Sequence, residues 1–387
     1  MFPFLQGLRV LDLSQYVPGP YASLILRDLG AEVVKVEPPA GDPMRGLGGG
    51  GYGALNDGKT VIRLDLKTEA GKAALVRLLA YADVMVEAYR PGVLDRLGFP
   101  PERLGGLAPR LIRVTLTGWG ATGPYRSRAG HDLTYMALGG GLAGSGSGAE
   151  PDVAWPPVSD YASGMQAAIA VLAALAGRGL GRTAHGPVHL DVSMMESVLA
   201  WQAWPLSQAL AAGRGGGTRQ PDLLTGGRAC YRLYRTADGR HVALAALEPK
   251  FWAEFCAAMG RPDWIDCQGE PMPQTALIAE VQLAFGAHPL AHWIAAFDGV
   301  DCCFEPVWTP EEVVAHPQIA ARGLLSAGAE GVRIALPMLV DGASAGPRPP
   351  VREVAPEEAV AAWATAADPA GGAAAGAAPG RYPDRGS

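Results

Sequence analysis

The chain has 387 residues, 49% of them hydrophobic and 18% charged, with a formal net charge of -6. That length exceeds one ordinary core and predicts two domains, and the apolar fraction is enough to bury them, which excludes a disordered chain. The acidic balance excludes a general nucleic-acid binder, so any phosphate site has to be a local cluster of cations.

In chain order, Leu8 to Leu13 is a short apolar run, followed by the turn Pro18-Gly19-Pro20, an amphipathic stretch Tyr21 to Leu29, a stop at Gly30 and a second run Glu32 to Val36. This reads as a βαβ unit. Glu37 closes the second strand where a dinucleotide fold keeps its ribose-binding acid, but Ser14 to Pro20 holds one glycine where that fingerprint needs three. Nicotinamide chemistry is therefore not expected. Thr68 to Ala80 carries Leu75, Leu78 and Leu79 on one helical face, and Val84 to Val86 and Leu111 to Leu116 are buried strands. The alternation predicts a parallel sheet covered by helices.

Asp160 opens an apolar helix that runs to about Leu175, and the strand His189 to Val192 leads into a long helix from Ser193 to about Ala211, then a glycine-rich hinge over Ala212 to Thr218. Beyond it, Ala229 to Arg235 and Arg240 to Ala246 pair around the turn Asp238-Gly239. The expected organisation is a large domain over 1–192, a linker helix and hinge over 193–220, a smaller α+β domain over 221–317, a return segment to the large domain over 318–342 and an Ala/Gly/Pro-rich tail over 343–387, mostly disordered. Five cysteines without a CxxC pair predict reduced thiols and a cytoplasmic protein. The first residues lack a basic leader, and apolar stretches such as Ala167 to Ala176 fall short of the about 20 residues a span requires. No signal peptide and no membrane are expected.

Several residues carry candidate chemistry. Lys35, Arg45, Lys59, Arg90 and Arg96 lie near the ends of successive predicted strands, where they either hold the phosphates of an anionic ligand or are solvated surface charge. His131 follows the Gly-rich turn Gly118 to Pro124 and adjoins Asp132, a setting for proton transfer, although a core histidine bonded to backbone is the plain alternative. Asp160 reads as a helix N-cap, a role compatible with catalysis because free N–H groups at a helix start stabilise an oxyanion. Glu248, before Pro249, is either a solvated turn acid or part of the site. The seven histidines are taken to show no HxxxH or HExxH arrangement for zinc, with Gly186-Pro187 breaking the stretch between His185 and His189. No metal is expected. A serine hydrolase elbow is also missing between any strand and helix.

The segments Gly7 to Leu13, Asp28 to Glu37, Leu64 to Lys67, Arg90 to Val93 and Gly118 to Tyr125 together resemble the family III CoA-transferases (CaiB/BaiF), the group of formyl-CoA transferase, carnitine CoA-transferase and α-methylacyl-CoA racemase. The similarity runs from about Leu5 to about Leu325. It implies a Rossmann-like large domain and a smaller α+β domain, in ring-shaped subunits interlocked as a homodimer with acyl-CoA esters bound near their interface. Ala129-Gly130-His131-Asp132 looks like the racemase branch. There the resemblance implies a catalytic His131 and Asp160, with Glu248 hydrogen-bonded to the histidine, and the cations named above become the candidate ligands of CoA. In the transferase branch the carboxylate matching Asp160 becomes an acyl anhydride, usually without the histidine. The expected function is racemisation of a 2-methylacyl-CoA by proton abstraction and return. CoA transfer between carboxylic acids is the alternative, and non-catalytic binding of a CoA ester is a reading of another class. CoA enters as part of the substrate, and no separate cofactor is expected.

Overall fold

A computed structural model describes residues 1–146, 150–211 and 222–367. Six short runs rich in Val, Ile and Leu form β1 (Arg9–Leu13), β2 (Glu32–Glu37), β3 (Thr60–Arg63), β4 (Val84–Glu87), β5 (Ile112–Thr117) and β6 (Val188–Ser193). β4 is buried at all its positions and β1 at all but Arg9, as expected of parallel strands covered on both faces. β1 lies parallel to both β2 and β4, with Val10 opposite Val33 on one side and Val84 on the other. Val188 N–H donates to Leu111 O and Met195 N–H to Gly118 O at the same offset in sequence, so β6 runs parallel to β5. The order β3-β2-β1-β4-β5-β6 is that of a doubly wound sheet, whose direction of winding reverses between β1 and β4.

The chain packs as two units, one formed by residues 1–115, 168–190 and 348 onward, the other by 116–167 and 191–347. The first unit buries Leu11, Ile62, Leu75, Leu78, Met85 and Phe99 around the sheet. Residues 343–367 do not belong to a disordered tail: β12 (Arg352–Glu353) adds to the sheet edge parallel to β3, with Arg352 opposite Thr60. The helix Pro356–Ala367 then buries Ala359 and Trp363 in the same core. Alanine is a strong helix former, and the apolar i, i+4 pair was masked by a composition that resembles low complexity. The buried ion pair of Arg348 with Asp28 anchors the start of this segment. The rest of the expected tail, 368–387, lies outside the described residues, as does the expected hinge over Ala212 to Thr218. Trp363→Ala is expected to cost about 3 to 5 kcal/mol, read as a lower urea midpoint; an unchanged midpoint would mean that this helix does not support the core.

The second unit contains the antiparallel sheet β7 (Tyr231–Arg235), β8 (His241–Ala245) and β9 (Phe304–Pro306), the first two joined through the expected Asp238-Gly239 turn. Its core is aromatic, built on the fully buried Trp252, Phe255 and Phe285. The segment 318–342, expected to return to the large domain, instead stays in this unit as the hairpin β10 (Leu325–Gly328) and β11 (Gly331–Ile334), and the return comes at 348. Residues 116–167, expected in the large domain, also pack with this unit.

The helix that carries Asp160 spans Val158–Gly179, well beyond the expected stretch. Among the described residues it is the one helix long and apolar enough, by length and composition, to cross a membrane. Its Ala167, Ala168 and Val171 form one buried face, and Ala162 is buried as well.

Candidate active site

The expected phosphate ligands divide into two groups. Lys35 and Lys59 have fully buried side chains, which leaves no surface for a phosphate. Lys35 Nζ sits 2.9 Å from Asp42 and donates to Ser14 O at 2.7 Å. Lys59 Nζ donates to Pro20 O, to Asn56 Oδ1 and to Asp12. Burial alone would raise the Asp12 carboxyl, but Lys35 and Lys59 overturn that and hold it below its ordinary value. Burial draws the Lys59 ammonium downward, with Asp12 opposing. The two lysines therefore neutralise acids beneath the turns after β1 and β2, which corrects their reading as CoA ligands. Spacing near strand ends cannot separate a cation aimed outward from one folded under a loop.

Arg45 is also engaged within the protein. Its Nε donates to Glu37 at 2.9 Å and its guanidinium lies 4.1 Å over the Tyr52 ring, while Tyr52 Oη donates to the second Glu37 oxygen. Both Glu37 oxygens are thus occupied, in keeping with the poor dinucleotide fingerprint. Arg90 and Arg96 are different: both are exposed, beyond the carboxyl end of β4.

The candidate catalytic residues belong to the second unit. Past β5 the chain turns through Gly118 to Gly130 and enters the short helix Asp132–Leu138, with His131 at its N-cap. Tyr135, one turn into that helix, packs its ring against both ends of the loop. A Cβ on Gly118 would stand 2.4 Å from the Tyr135 ring, and one on Gly130 2.5 Å, so both positions require glycine. Trp119 packs edge-on to Tyr135 with centroids 4.8 Å apart. The backbone at His131 is fixed by two further bonds, His131 N–H to Thr134 Oγ1 at 3.1 Å and Thr134 N–H to His131 O at 2.8 Å. His131 is exposed, and its side chain takes part in the capping box at this helix start.

Asp160 was read as an N-cap, but the helix begins at Val158 and Asp160 lies within its first turn. The acceptor for the free N–H groups there is Asp132. Its Oδ1 takes hydrogen bonds from Ser159 N–H at 2.7 Å, Ser159 Oγ at 2.6 Å and Asp160 N–H at 3.2 Å. The residue next to His131 is therefore bonded directly to Asp160, 28 positions along the chain. Nothing in the local sequence pairs them, which is why Asp132 was seen only as a neighbour of the histidine. Asp160 is partly buried, and burial together with the Asp132 charge pushes its carboxyl up to about 7.

Glu248 occupies a separate element, exposed after β8 at the N-cap of the helix Pro249–Ala258. Burial and then the charge of Glu248 raise the Cys303 thiol, so these two residues are close. The structure thus unites the His131-Asp132 step with Asp160 and places Glu248 at a different helix start, where its charge reaches Cys303. The metal reading overlooked one spacing: His288 and His292 form an HxxxH, and their rings stack with centroids 3.9 Å apart. No group of three potential ligands occurs among the described residues.

A doubly wound parallel sheet, with a second unit that presents an imidazole and a near-neutral carboxyl at adjacent helix starts, defines an α/β enzyme equipped for acid–base or acyl chemistry. The sequence model of CoA-transferase family III matches residues 5–357, and the chain belongs to that family. It is 36% identical to the alpha-methylacyl-CoA racemase of Homo sapiens, over 82% of this chain and 81% of that one. It is 32% identical to the acetyl-CoA:oxalate CoA-transferase of Acetobacter aceti, over 84% and 85% of the two chains. The crystal structure of a CaiB/BaiF family protein from Brucella suis superposes with a TM-score of 0.79 at 26% identity, covering 94% of this chain and 99% of the other. The family thus includes both racemases and CoA-transferases.

Proposed function

We propose that this enzyme racemises a 2-methylacyl-CoA. The observation that carries the reading is the direct bond between the His131-Asp132 step and Asp160, whose carboxyl is held near neutrality. A thioester acidifies its α-C–H bond, and inversion requires a base on one face of that carbon and an acid on the other. The His131 imidazole removes the α-proton, and the electron pair passes into the enolate of the thioester. Protonated Asp160 returns a proton to the opposite face; the reverse direction exchanges the two roles. A carboxyl at about 7 is half protonated at neutral pH, which suits an acid that must alternate between both forms.

CoA transfer through an Asp160 anhydride is the second reading, favoured by the identity to the oxalate CoA-transferase. Its nucleophile has to be the carboxylate anion, and the near-neutral carboxyl reduces the fraction available. Under either reading CoA arrives with the substrate, and Arg90 and Arg96 are the expected cations left to meet its phosphates.

A second copy of the chain is part of the proposal. The consecutive helices Met194–Trp201 and Ala203–Ala211 expose Trp201, Trp204, Leu206 and Leu210, and the second helix buries none of its residues. Such apolar surface is expected to be covered in a homodimer.

The test is incubation with a panel of 2-methylacyl-CoA esters in deuterated water, with and without a free carboxylic acid as acceptor. Racemisation requires one deuterium at the α-carbon without acceptor. CoA transfer to the acid with no uptake of label would instead establish the second reading.

A further inference from the structure

We propose that Asp132 is a positioning residue for Asp160: its carboxylate, fixed by the clamp that holds His131, anchors the start of the Asp160 helix and sets a negative charge against the acid that exchanges protons with substrate. The inference rests on the acid–base reading above and goes beyond it by assigning a role to a residue that need not touch the substrate.

The geometry separates two effects. Three donors from the first turn of Val158–Gly179 converge on one Asp132 oxygen, filling an end that the helix itself leaves unpaired. Any oxygen acceptor at that place does this much. The charge is a second effect. Along its own helix, the only other charged residue is Arg178, about five turns away. Asp132 is bonded to the Asp160 N–H and His131 precedes it in the chain, while Arg128 of the preceding loop stacks on the Tyr125 ring, 4.0 Å from its centroid. Asp132 is the neighbour whose charge acts on Asp160, in the direction that keeps its proton. One carboxylate thus sets the place of the acid and, added to the larger effect of burial, widens the pH range over which the acid holds its proton.

Asp132→Asn and Asp132→Ala separate the effects, because asparagine keeps the acceptor oxygen without the charge and alanine removes both. In the asparagine variant the limb of the pH–rate profile that reports Asp160 is expected to move down by about one pH unit, with the melting temperature at pH 5.5 retained. The alanine variant is expected to melt lower and to lose at least tenfold in kcat. A profile for Asp132→Asn that superimposes on the wild type, or moves upward, overturns the proposal. The pH dependence of the melting temperature gives a readout without turnover: the fall above pH 5 should be complete at lower pH in Asp132→Asn. Wild-type protein that takes up no deuterium defeats the racemase reading, whereas identical melting profiles for wild type and Asp132→Asn defeat this one.

Discussion

Asp160→Asn is expected to abolish turnover of every acyl-CoA while making the folded chain harder to melt above neutral pH. Loss of a positioned acid or base costs about 10²- to 10⁴-fold in rate, and loss of the nucleophile of an anhydride mechanism is at least as severe. The gain in stability follows from the same raised carboxyl. Below about pH 4 the folded and unfolded chains both carry this proton, and Asp160 imposes no cost. As pH rises from the ordinary value of 3.8 to about 7, the unfolded chain releases the proton that the folded chain keeps, so stability falls. Above about pH 7 the full cost is present, with a ceiling of about 4 kcal/mol that partial solvent access reduces. Asparagine fills the same volume without titrating. Its advantage over aspartate should be small near pH 4 and largest at pH 8.5, where a rise of about 2 to 5 °C in melting temperature is expected. A gain equal at both pH values would place the effect in packing rather than in the charge, and a loss at pH 8.5 would contradict the burial argument.

The sequence made the sheet legible because parallel strands buried on both faces appear as short unbroken apolar runs. Val84 to Val86 and Leu111 to Leu116 needed no tertiary information to be placed in it. The closing strand and helix failed that test for two reasons. Arg352 and Glu353 make an exposed edge strand with no apolar signature, and the Ala359 and Trp363 pair is embedded in alanines. The candidate site was legible to a similar depth. His131 and Asp160 stood out as titratable groups beside Gly-rich turns or at helix starts, whereas the bond between Asp132 and Asp160 depends on a long return of the chain. The lysines show the converse error. Lys35 and Lys59 were correctly noticed as unusual, but a cation in a strand end is equally suited to neutralise a buried acid, and only the positions of Asp12 and Asp42 decide between the two.

Replacement of His131 by alanine is expected to separate the two activities that relatives of this chain display. In the racemase mechanism the imidazole removes the α-proton, so deuterium uptake should fall by about 10²- to 10⁴-fold. In the anhydride mechanism the nucleophile is Asp160, and CoA transfer to an acceptor acid should survive with a much smaller change. The comparison is informative only if the variant folds, and the structure gives grounds to expect that. Two of the bonds that place residue 131 are made by its backbone, to Thr134 N–H and to Thr134 Oγ1, and alanine preserves both while removing the side-chain half of the capping box. Residue 131 is exposed, and loss of a side-chain cap at a helix start costs about 0.5 to 2 kcal/mol, less than the stability of an ordinary domain. A variant with wild-type melting behaviour and unaltered deuterium uptake would remove His131 from the chemistry. If the variant instead loses label uptake and CoA transfer together, the imidazole serves a step common to both reactions, such as binding of the thioester, and a rise in KM larger than the fall in kcat should accompany the loss.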